Sequence, residues 1–461
     1  MALSDGLMKS LGQQLGELAS KHKVPGAVLA ILDGRDVGEC ATGLLNLNTG
    51  VATTTDSLFQ IGSITKIYTA TLVMQLIDQG AIDLDHPVEE YLPDSRLGSS
   101  ETQTPITVRH LLSHTSGIDG DYFEDFGRGD GAIRRYAAAC AQLPQLFSPG
   151  EMFSYCNAGF VVLGRIIEVL TREPFRIALR SRLVEPLGVE GPLTLPEEAI
   201  LHRVAAGHVK DPQHHVPKVT SVWSLPHATA PAGGTTCGTA RDLLALARLH
   251  LDEGRFDDSK YVLSPGSVAA MQERQIELPS TRPGEEAWGL GWALDVWGGE
   301  PIFGHDGGTI GQRAFLRVAP DKELAVALVS NSYTSGPLYE QLFRQVFEEL
   351  RGIRMPQRPQ PPADEPPELD LGSYTGGYER RGVRNVVSKR EEQLVLDQTL
   401  AGELAELEGE GQGERALLPA NESTFFVYDK DVEEHHPLFF LNFTSGKPQY
   451  LFDGRVARRT A

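Results

Sequence analysis

The chain has 461 residues, of which 41% are hydrophobic and 23% charged, a composition typical of a globular protein with two or more domains. Its formal net charge of −20 argues against nucleic acid and anionic membrane surfaces as partners. The sequence has no apolar run of transmembrane length, no basic leader before an apolar core and no C-x-x-C spacing. We therefore expect a cytoplasmic protein with no membrane anchor and no disulfide framework.

The larger, N-terminal part of the chain predicts helices that flank an antiparallel sheet. The predicted helices cover residues 1–23, 64–79, 131–142, 156–171, 236–253 and 338–351. The predicted strands cover residues 27–32, 38–44, 288–296, 301–304, 313–318 and 324–331. Because a helix precedes this sheet and another follows it, we predict one α+β domain over residues 1–351.

The C-terminal part of the chain predicts a separate β-domain. Residues 352–368 are rich in proline and predict a semi-rigid linker. Residues 369–461 alternate turns with short predicted strands at 374–378, 383–387, 393–396, 425–428, 438–443 and 450–452. That spacing is typical of a small β-barrel or sandwich.

The segment around Ser63 combines a turn, a helix start and a lysine. Gly62 permits a tight turn, and the predicted helix places Ser63 at its N-terminus, where free N–H groups favour a developing negative charge. Lys66 lies one turn further on the same face, so its amine can reach the serine hydroxyl. This pattern predicts an activated nucleophile with Lys66 as its base. The alternative is an ordinary serine cap, because Ser-x-x-Lys also occurs by chance.

A second polar group, Tyr155 and Asn157, stands at the start of the helix predicted over 156–171. A tyrosine beside a cationic lysine ionises more easily and can relay a proton, and an asparagine supplies both a donor and an acceptor. The alternative is that Tyr155 is a core aromatic and Asn157 only caps the helix.

A third group, His305, Gly307 and Gly308, stands where the predicted strand pairings begin. Two glycines at a strand edge permit close backbone approach, and the N–H of Gly308 with that of Ser63 can form an oxyanion hole. His305 can then protonate or orient the substrate or hold Tyr155. The alternative is a hairpin turn that carries a solvated histidine.

Other chemical motifs are weak or missing in this sequence. His110 and His114 have the spacing of metal ligands, but no acidic ligand accompanies them, so we expect no metal and no cofactor. We find no Gly-x-Ser-x-Gly elbow, phosphate loop or dinucleotide fingerprint. The serine site is therefore the main functional candidate.

The three polar groups follow one another in the order of the motifs of the serine β-lactamase and penicillin-binding-protein superfamily. The residues that carry this resemblance are Ser63-x-x-Lys66, Tyr155-x-Asn157 and His305-x-Gly307-Gly308. The stretch from His110 to Gly117 and the pair Pro149-Gly150 are similar to the class C β-lactamase and esterase branch.

The resemblance implies a β-lactamase/DD-peptidase-like domain with a helical subdomain. It also implies that Ser63 is acylated, that Lys66 is the base and that Tyr155 relays the proton. Asn157 and His305 would position the substrate.

One position departs from the β-lactamases and cell-wall transpeptidases, which usually carry Lys-Thr-Gly where this chain has His305-Asp306-Gly307. The loss of that fixed positive charge argues against efficient β-lactam hydrolysis. A histidine there, with a C-terminal β-domain, is similar to D-aminopeptidases, esterases of this branch and penicillin-binding-protein-type thioesterases, whose second domain is lipocalin-like. The length, the two-domain plan and the motif spacing resemble these thioesterases most closely.

The thioesterase resemblance implies a stand-alone cyclase in nonribosomal peptide biosynthesis. Ser63 would accept a peptidyl thioester, with a D-residue at its acylating end, from a carrier protein of a peptide synthetase. The peptide's own amine would then release it as a head-to-tail macrolactam. The alternatives are a D-stereospecific peptidase, amidase or esterase that uses water, and a non-catalytic binding protein. The set of Ser63, Lys66 and Tyr155 argues against the last.

Three further residues have substrate-binding interpretations. Arg455, near the C-terminus, can enter the cleft and orient a carboxylate or carbonyl, or it can be an ordinary surface arginine. Trp223 and Trp288 can equally wall the pocket or fill the core.

Overall fold

The computed structural model describes residues 3–93, 97–98, 104–211, 214, 216–257, 260–363, 367–408, 411, 413–430 and 434–460. Its α-helices are α1 (Asp5–Lys21), α2 (Thr65–Asp78), α3 (Val88–Tyr91), α4 (Val108–Leu112), α5 (Ala132–Ala139), α6 (Asn157–Thr171), α7 (Phe175–Leu179), α8 (Pro196–Ala199), α9 (Ala240–Leu251), α10 (Pro265–Gln272), α11 (Gly336–Arg351) and α12 (Gly402–Glu408). Single 3-10 turns lie at Gly62–Ile64, Cys140–Gln142, His227–Ala232, Pro320–Lys322 and Leu371–Tyr374, and a π-helical turn at Arg180–Val184.

The strands that precede α11 are β1 (Gly26–Asp33), β2 (Asp36–Asn46), β3 (Val51–Ala52), β4 (Phe59–Gln60), β5 (His208–Lys210), β6 (Pro217–Val219), β7 (Cys237–Gly238), β8 (Arg255–Asp257), β9 (Lys260–Tyr261), β10 (Ile276–Glu277), β11 (Glu285–Trp288), β12 (Ala293–Trp297), β13 (Glu300–Thr309), β14 (Gln312–Ala319) and β15 (Leu324–Ser330). Among the described residues, nine of them form one sheet in the order β10-β11-β12-β13-β14-β15-β1-β2-β3. Because β1 pairs with β15 and β2, the two ends of this unit meet at the centre of the sheet.

Helices cover both faces of this sheet. Leu29 and Ile31 of β1 point into a core shared with α1 and α11, whereas Ala30 and Leu32 point into the core around α2, α6 and α9. A strand that is buried on both faces needs apolar residues at every position. That requirement explains the unbroken apolar run of β1.

Two predicted strands differ from the observed ones. The strand predicted over 288–296 is two strands, β11 and β12, because the chain turns at Gly291, whose φ is 90°. A Cβ atom at Gly291 would lie 2.8 Å from the Cβ of Ala70, so this turn passes directly over α2. The strand predicted over 301–304 is longer and continues through His305 to Thr309 as part of β13. The hairpin-turn alternative for His305 is therefore wrong.

The C-terminal unit is a closed antiparallel barrel. Its strands are β16 (Gly376–Arg380), β17 (Val383–Arg390), β18 (Gln393–Leu400), β19 (Gly413–Pro419), β20 (Thr424–Asp429), β21 (Glu434–Thr444), β22 (Lys447–Phe452) and β23 (Val456–Thr460). Sequence periodicity does not predict β19 and β23, whose sequences GERALLP and VARRT lack a clear alternation of apolar and polar residues. Pairing of β16 with β23 closes the barrel, and Tyr378 lies opposite Arg459. This architecture agrees with the lipocalin-like barrel that the resemblance implied.

The barrel packs against loops of the N-terminal unit that precede α6 and against the end of β11. Their shared apolar cluster contains, from the N-terminal unit, Leu146, Phe147, Phe153 and Trp288, and from the barrel Phe452 and Val456. The chain between the two units is held as well, because Ile353 and Met355 are buried against the α1–α11 face of the sheet. Among the described helices, none has the length and apolar character that a bilayer crossing requires.

Candidate active site

Ser63 lies in a single 3-10 turn between strand β4 and helix α2. Gly62 has a φ of 51°, and a Cβ atom there would lie 2.5 Å from the backbone nitrogen of Gly308, so glycine is required. Helix α2 is buried along nearly its whole length from Thr65 to Leu76. Ser63 itself is partly exposed. A fully packed helix therefore holds the nucleophile at the edge of a cleft.

Lys66 is completely buried and its amine has three partners. Its Nζ lies 2.9 Å from Ser63 Oγ, 2.8 Å from Asn157 Oδ1 and 2.8 Å from the carbonyl oxygen of Ala232. The amide and carbonyl oxygens can only accept hydrogen bonds. In the neutral amine the two N–H groups donate to them, so the nitrogen lone pair remains for the proton of Ser63.

The environment of Lys66 favours the neutral amine. Burial lowers the pKa of the Lys66 amine well below its ordinary value, the Arg455 guanidinium lowers this pKa further, and the Asp121 carboxylate opposes them. A neutral amine in hydrogen-bonding contact with a serine hydroxyl can remove its proton. The geometry thus suits Lys66 as a general base.

Asn157 is the first residue of α6, but it does not cap this helix. The cap is Cys156, whose Sγ accepts a hydrogen bond from the N–H of Gly159. The Asn157 side chain instead donates from Nδ2 to Asp121 Oδ1 over 3.0 Å and accepts from Lys66 through Oδ1. The helix-cap alternative for Asn157 is therefore wrong, and its amide orientation is set by Asp121.

Tyr155 lies beside Lys66, and the Lys66 Nζ is 4.8 Å from the centre of its ring. Burial raises the pKa of the Tyr155 phenol above its ordinary range, while Ser63 and Arg455 act in the opposite direction. We expected this tyrosine to ionise more easily, but burial outweighs its neighbours. At neutral pH Tyr155 is therefore a phenol that can donate a proton, and it lies beside a lysine whose neutral form is favoured by burial.

His305 is buried in the middle of β13. Its Nδ1 lies 2.6 Å from the carbonyl oxygen of Asp306, so Nδ1 carries the proton and Nε2 is an acceptor. No described protein group lies within hydrogen-bonding distance of Nε2. Burial lowers the pKa of His305 to about 3, with Lys66 acting in the same direction. This neutral histidine cannot replace the fixed positive charge of Lys-Thr-Gly enzymes.

Gly307 and Gly308 bring β13 against the Ser63 turn. A Cβ atom at Gly307 would lie 2.0 Å from the carbonyl oxygen of Ile61. These contacts place the backbone of Gly308 next to Gly62 and Ser63. The oxyanion hole formed by the N–H groups of Ser63 and Gly308 stays a prediction, to which this close approach lends support.

The two predicted tryptophans have different positions. The ring centre of Trp288 lies 5.4 Å from that of His305 and 5.9 Å from that of Tyr155, so Trp288 forms a buried wall of the site. Trp223 packs in a separate apolar cluster with Leu58, and its indole N–H donates to the carbonyl of Ala205 over 3.0 Å. Its carbonyl accepts a hydrogen bond from the side chain of Gln60, so Trp223 supports the approach to Ser63.

Arg455 enters the site from the turn between β22 and β23. Its Nε lies 2.5 Å from Asp121 Oδ2, and its guanidinium lies 5.1 Å from the centre of the Tyr155 ring. The surface-arginine alternative is therefore wrong. Sequence reasoning missed Asp121, which joins Arg455 to Asn157. The only local signal was an acidic residue in a glycine-containing loop after His114, and that pattern has no specific meaning.

In the described part of the chain, no group of three or more His, Cys, Asp or Glu side chains is placed to hold a metal ion. His114, which shares metal-ligand spacing with His110, has a structural role. Its Nδ1 accepts a hydrogen bond from the N–H of Cys156 over 3.0 Å, and its ring packs 4.2 Å from that of Tyr155.

A buried lysine one helical turn after an accessible serine, with a tyrosine beside both, defines a penicillin-binding-protein-type serine hydrolase site. The chain belongs to the Beta-lactamase family, which matches residues 6–351. It is 43% identical over 372 residues to Penicillin-binding protein 4 of Amycolatopsis lactamdurans, and the alignment covers 80% of this chain and 97% of that protein.

Two proteins of known structure extend the comparison. The crystal structure of SurE matches with a TM-score of 0.80 at 30% identity and covers 99% of both chains; SurE has also been solved with D-Leu. A D-stereospecific amidohydrolase from Streptomyces sp. matches with a TM-score of 0.59 at 30% identity. That match covers 74% of this chain and 98% of the amidohydrolase.

Proposed function

We propose that this protein is a serine thioesterase that accepts a peptidyl thioester on Ser63 and releases the peptide as a head-to-tail macrolactam. The observation that supports this most strongly is the match to SurE over 99% of both chains, which includes the barrel as well as the serine site. The motifs and the two-unit plan also resemble the penicillin-binding-protein-type thioesterases. The donor would be a carrier protein of a peptide synthetase.

The site has the groups that acylation needs. Lys66 takes the proton of Ser63 while Oγ attacks the thioester carbonyl, and the negative charge develops on the carbonyl oxygen near the N–H groups of Ser63 and Gly308. When the C–S bond breaks, the proton passes to the departing thiolate from Lys66, with the Tyr155 phenol as a relay. The products are the acyl ester of Ser63 and a free thiol.

Release repeats these steps with an amine as the nucleophile. The free N-terminal amine of the peptide attacks the ester carbonyl and loses a proton. The C–O bond to Ser63 breaks and its oxygen regains a proton. An intramolecular amine competes with water when it is held near the ester and water is excluded. The barrel covers the loops that carry Tyr155, and His305 Nε2 offers an acceptor for the amine.

A D-residue at the acylating end is part of this proposal. The solved structure of SurE with D-Leu, and the D-stereospecific name of the Streptomyces amidohydrolase, both support it. The amidohydrolase also supports a second candidate function, a D-stereospecific hydrolase that uses water. The match covers 98% of that enzyme but 74% of this chain, so about a quarter of this chain has no counterpart in the amidohydrolase.

The test uses a synthetic peptidyl thioester with a free N-terminus and a D-residue at the thioester end, with the products identified by mass spectrometry. We expect a cyclic product that is one water lighter than the linear acid. The same peptide with an acetylated N-terminus cannot cyclise and should accumulate on Ser63 or hydrolyse slowly. The Ser63→Ala variant should give neither product. Linear acid alone from the free peptide would instead favour the hydrolase.

A further inference from the structure

The barrel supplies two arginines to one buried carboxylate of the N-terminal unit. Arg380, the last residue of β16, places its Nη1 3.0 Å from Asp121 Oδ2, and Arg455 approaches the same oxygen. The side chain of Asp121 is 5% exposed and that of Arg380 is 11% exposed. Charged groups this deeply buried are stable only when they are paired.

The other oxygen of Asp121 faces the reaction. Oδ1 accepts from Asn157 Nδ2, and Asn157 Oδ1 accepts from Lys66 Nζ. A continuous chain of hydrogen-bonded and ion-paired side chains therefore runs from Arg380 to the base. Asp121 Oδ2 and Asn157 Nδ2 therefore make the contacts on the barrel side, whereas Asp121 Oδ1 and Asn157 Oδ1 make the contacts on the Lys66 side.

Hydrogen bonds between the barrel and the N-terminal unit flank this network of side chains, both next to Arg380 and next to Arg455. The backbone N–H of Arg381 donates to Asp119 Oδ2 over 2.6 Å. The N–H of Tyr155 donates to the carbonyl of Gly454 over 3.2 Å, and the N–H of Val456 donates to Ser154 Oγ over 3.1 Å. These contacts flank Arg380 and Arg455, so both guanidinium groups are delivered by backbone that is itself fixed to the loops of the site.

The charged side chains of this network have opposite effects on the protonation of Lys66. A carboxylate favours the ammonium form of a nearby lysine, and guanidinium groups favour the amine. The groups that face Lys66 come from four segments: Asp121 and His114 from the loop after α4, Tyr155 and Cys156 before α6, His305 on β13, and Arg455 on the barrel. Asp121 is the anionic group among them that opposes the neutral amine.

We propose that Arg380 is a positioning residue and that the barrel is part of the general-base machinery. Together with Arg455, Arg380 neutralises Asp121 so that Asp121 orients Asn157 without holding a proton on Lys66. This inference rests only on the serine-acylation step of the proposed function, not on the acceptor that releases the product.

The experiment measures the rate at which an activated ester acylates Ser63 as a function of pH, followed by intact mass. Acylation requires neutral Lys66, so the rate falls as pH drops through a midpoint. We expect Arg380→Gln to raise that midpoint and Asp121→Asn to lower it, each by about one pH unit, the order of effect that a unit charge has on a nearby amine in a partly polar interior. Below the midpoint, Arg380→Gln should then be acylated about tenfold more slowly.

The double variant Asp121→Asn/Arg380→Gln separates charge from packing. It restores the local net charge of the wild type, so its midpoint should lie between those of the two single variants although two contacts are lost. Arg380→Lys keeps the charge and should also keep the midpoint. The matched control is Arg390→Gln on β17, which removes an arginine paired with exposed Glu414 and should change nothing.

The proposal is overturned if Arg380→Gln and Asp121→Asn move the midpoint in the same direction, or if Arg380→Gln leaves it unchanged. Thermal unfolding of each variant shows whether the barrel is still folded at the pH of the assay. An activated ester needs no intramolecular amine, so this outcome is independent of whether the natural reaction is cyclisation or hydrolysis.

Discussion

The Ser63 turn and the barrel contribute to one site in different ways. The N-terminal unit supplies the groups that lie against Ser63, through Lys66, Tyr155 and the β13 backbone. The barrel supplies charge and cover, through Arg380, Arg455 and the apolar cluster around Phe452. In the first region the base lies one helical turn from the nucleophile within a single folded unit, whereas the contribution of the barrel depends on two units docking correctly. Changes to the first region should strongly reduce the rate of acylation, whereas changes to the barrel should have smaller effects on the product ratio and on stability.

The largest effect should come from the base itself. Replacing Lys66 with glutamine keeps a polar side chain near Asn157 and Ala232 but removes the proton acceptor. We expect the rate of Ser63 acylation by an activated ester to fall by about 10²- to 10⁴-fold, the usual contribution of general-base catalysis. Intact mass measures the rate. A variant that retains wild-type acylation would show that Lys66 is not the base, and the comparison between the two regions would fail.

A smaller effect should come from weakening the barrel contact. Phe452 is 1% exposed, and its ring centre lies 6.3 Å from that of Phe153. The Phe452→Ala substitution should destabilise the protein by about 3 kcal/mol because it leaves a cavity between the units. We also expect more linear acid relative to cyclic product, since water gains access to the acyl-enzyme. Calorimetry and the product ratio measure the two effects.

Tyr428→Ala, at an exposed barrel position, is the control for this variant and should change neither quantity. If Phe452→Ala unfolds the barrel but leaves the product ratio unchanged, the barrel does not act as a cover.

The smallest effect concerns Asp119, which accepts the backbone N–H of Arg381 at the docking contact. Burial raises the pKa of Asp119 to about 6, partly offset by the hydrogen bond from Arg381. The folded protein therefore binds a proton here more tightly than the unfolded chain, and the stability that this supplies is lost as pH rises through about 6.

Asp119→Asn mimics the protonated acid and keeps the acceptor. We expect it to be as stable as the wild type near pH 4 and more stable by about 2 kcal/mol at pH 7.5. Denaturant unfolding at both values measures the difference. A stability difference that does not vary with pH would mean that Asp119 does not titrate in this range.

The difference between these two regions also explains which structural features could be predicted from the sequence. The nucleophile and its base were predictable because Ser63 and Lys66 are three residues apart where a 3-10 turn leads into α2, so that local helical geometry sets the distance between them. The strand split at Gly291 was not predictable, because it depends on the passage of that turn over Ala70. The strands β19 and β23 escaped detection because neither GERALLP nor VARRT has the regular alternation of apolar and polar residues that marks a strand, so that pairing with neighbouring barrel strands defines them.

The direction of the Tyr155 pKa shift could not be predicted from the sequence either. A neighbouring cation lowers a phenol pKa and burial raises it, and only the packing of Trp288, His114 and the barrel decides which is larger. The position of Arg455 in the site was equally unpredictable, because the sequence around it also suits a turn at the surface.

By itself, the sequence determined the helix that follows Ser63, the strands of alternating or continuous apolar character, and the order of the three motifs, because these depend on near neighbours in the chain. Tertiary structure alone decided that Asp121, Asn157, Arg380 and Arg455 meet around Lys66. These residues come from four segments spread over more than 300 positions. Charges so distant in the chain act on one another only after the fold has removed the water between them.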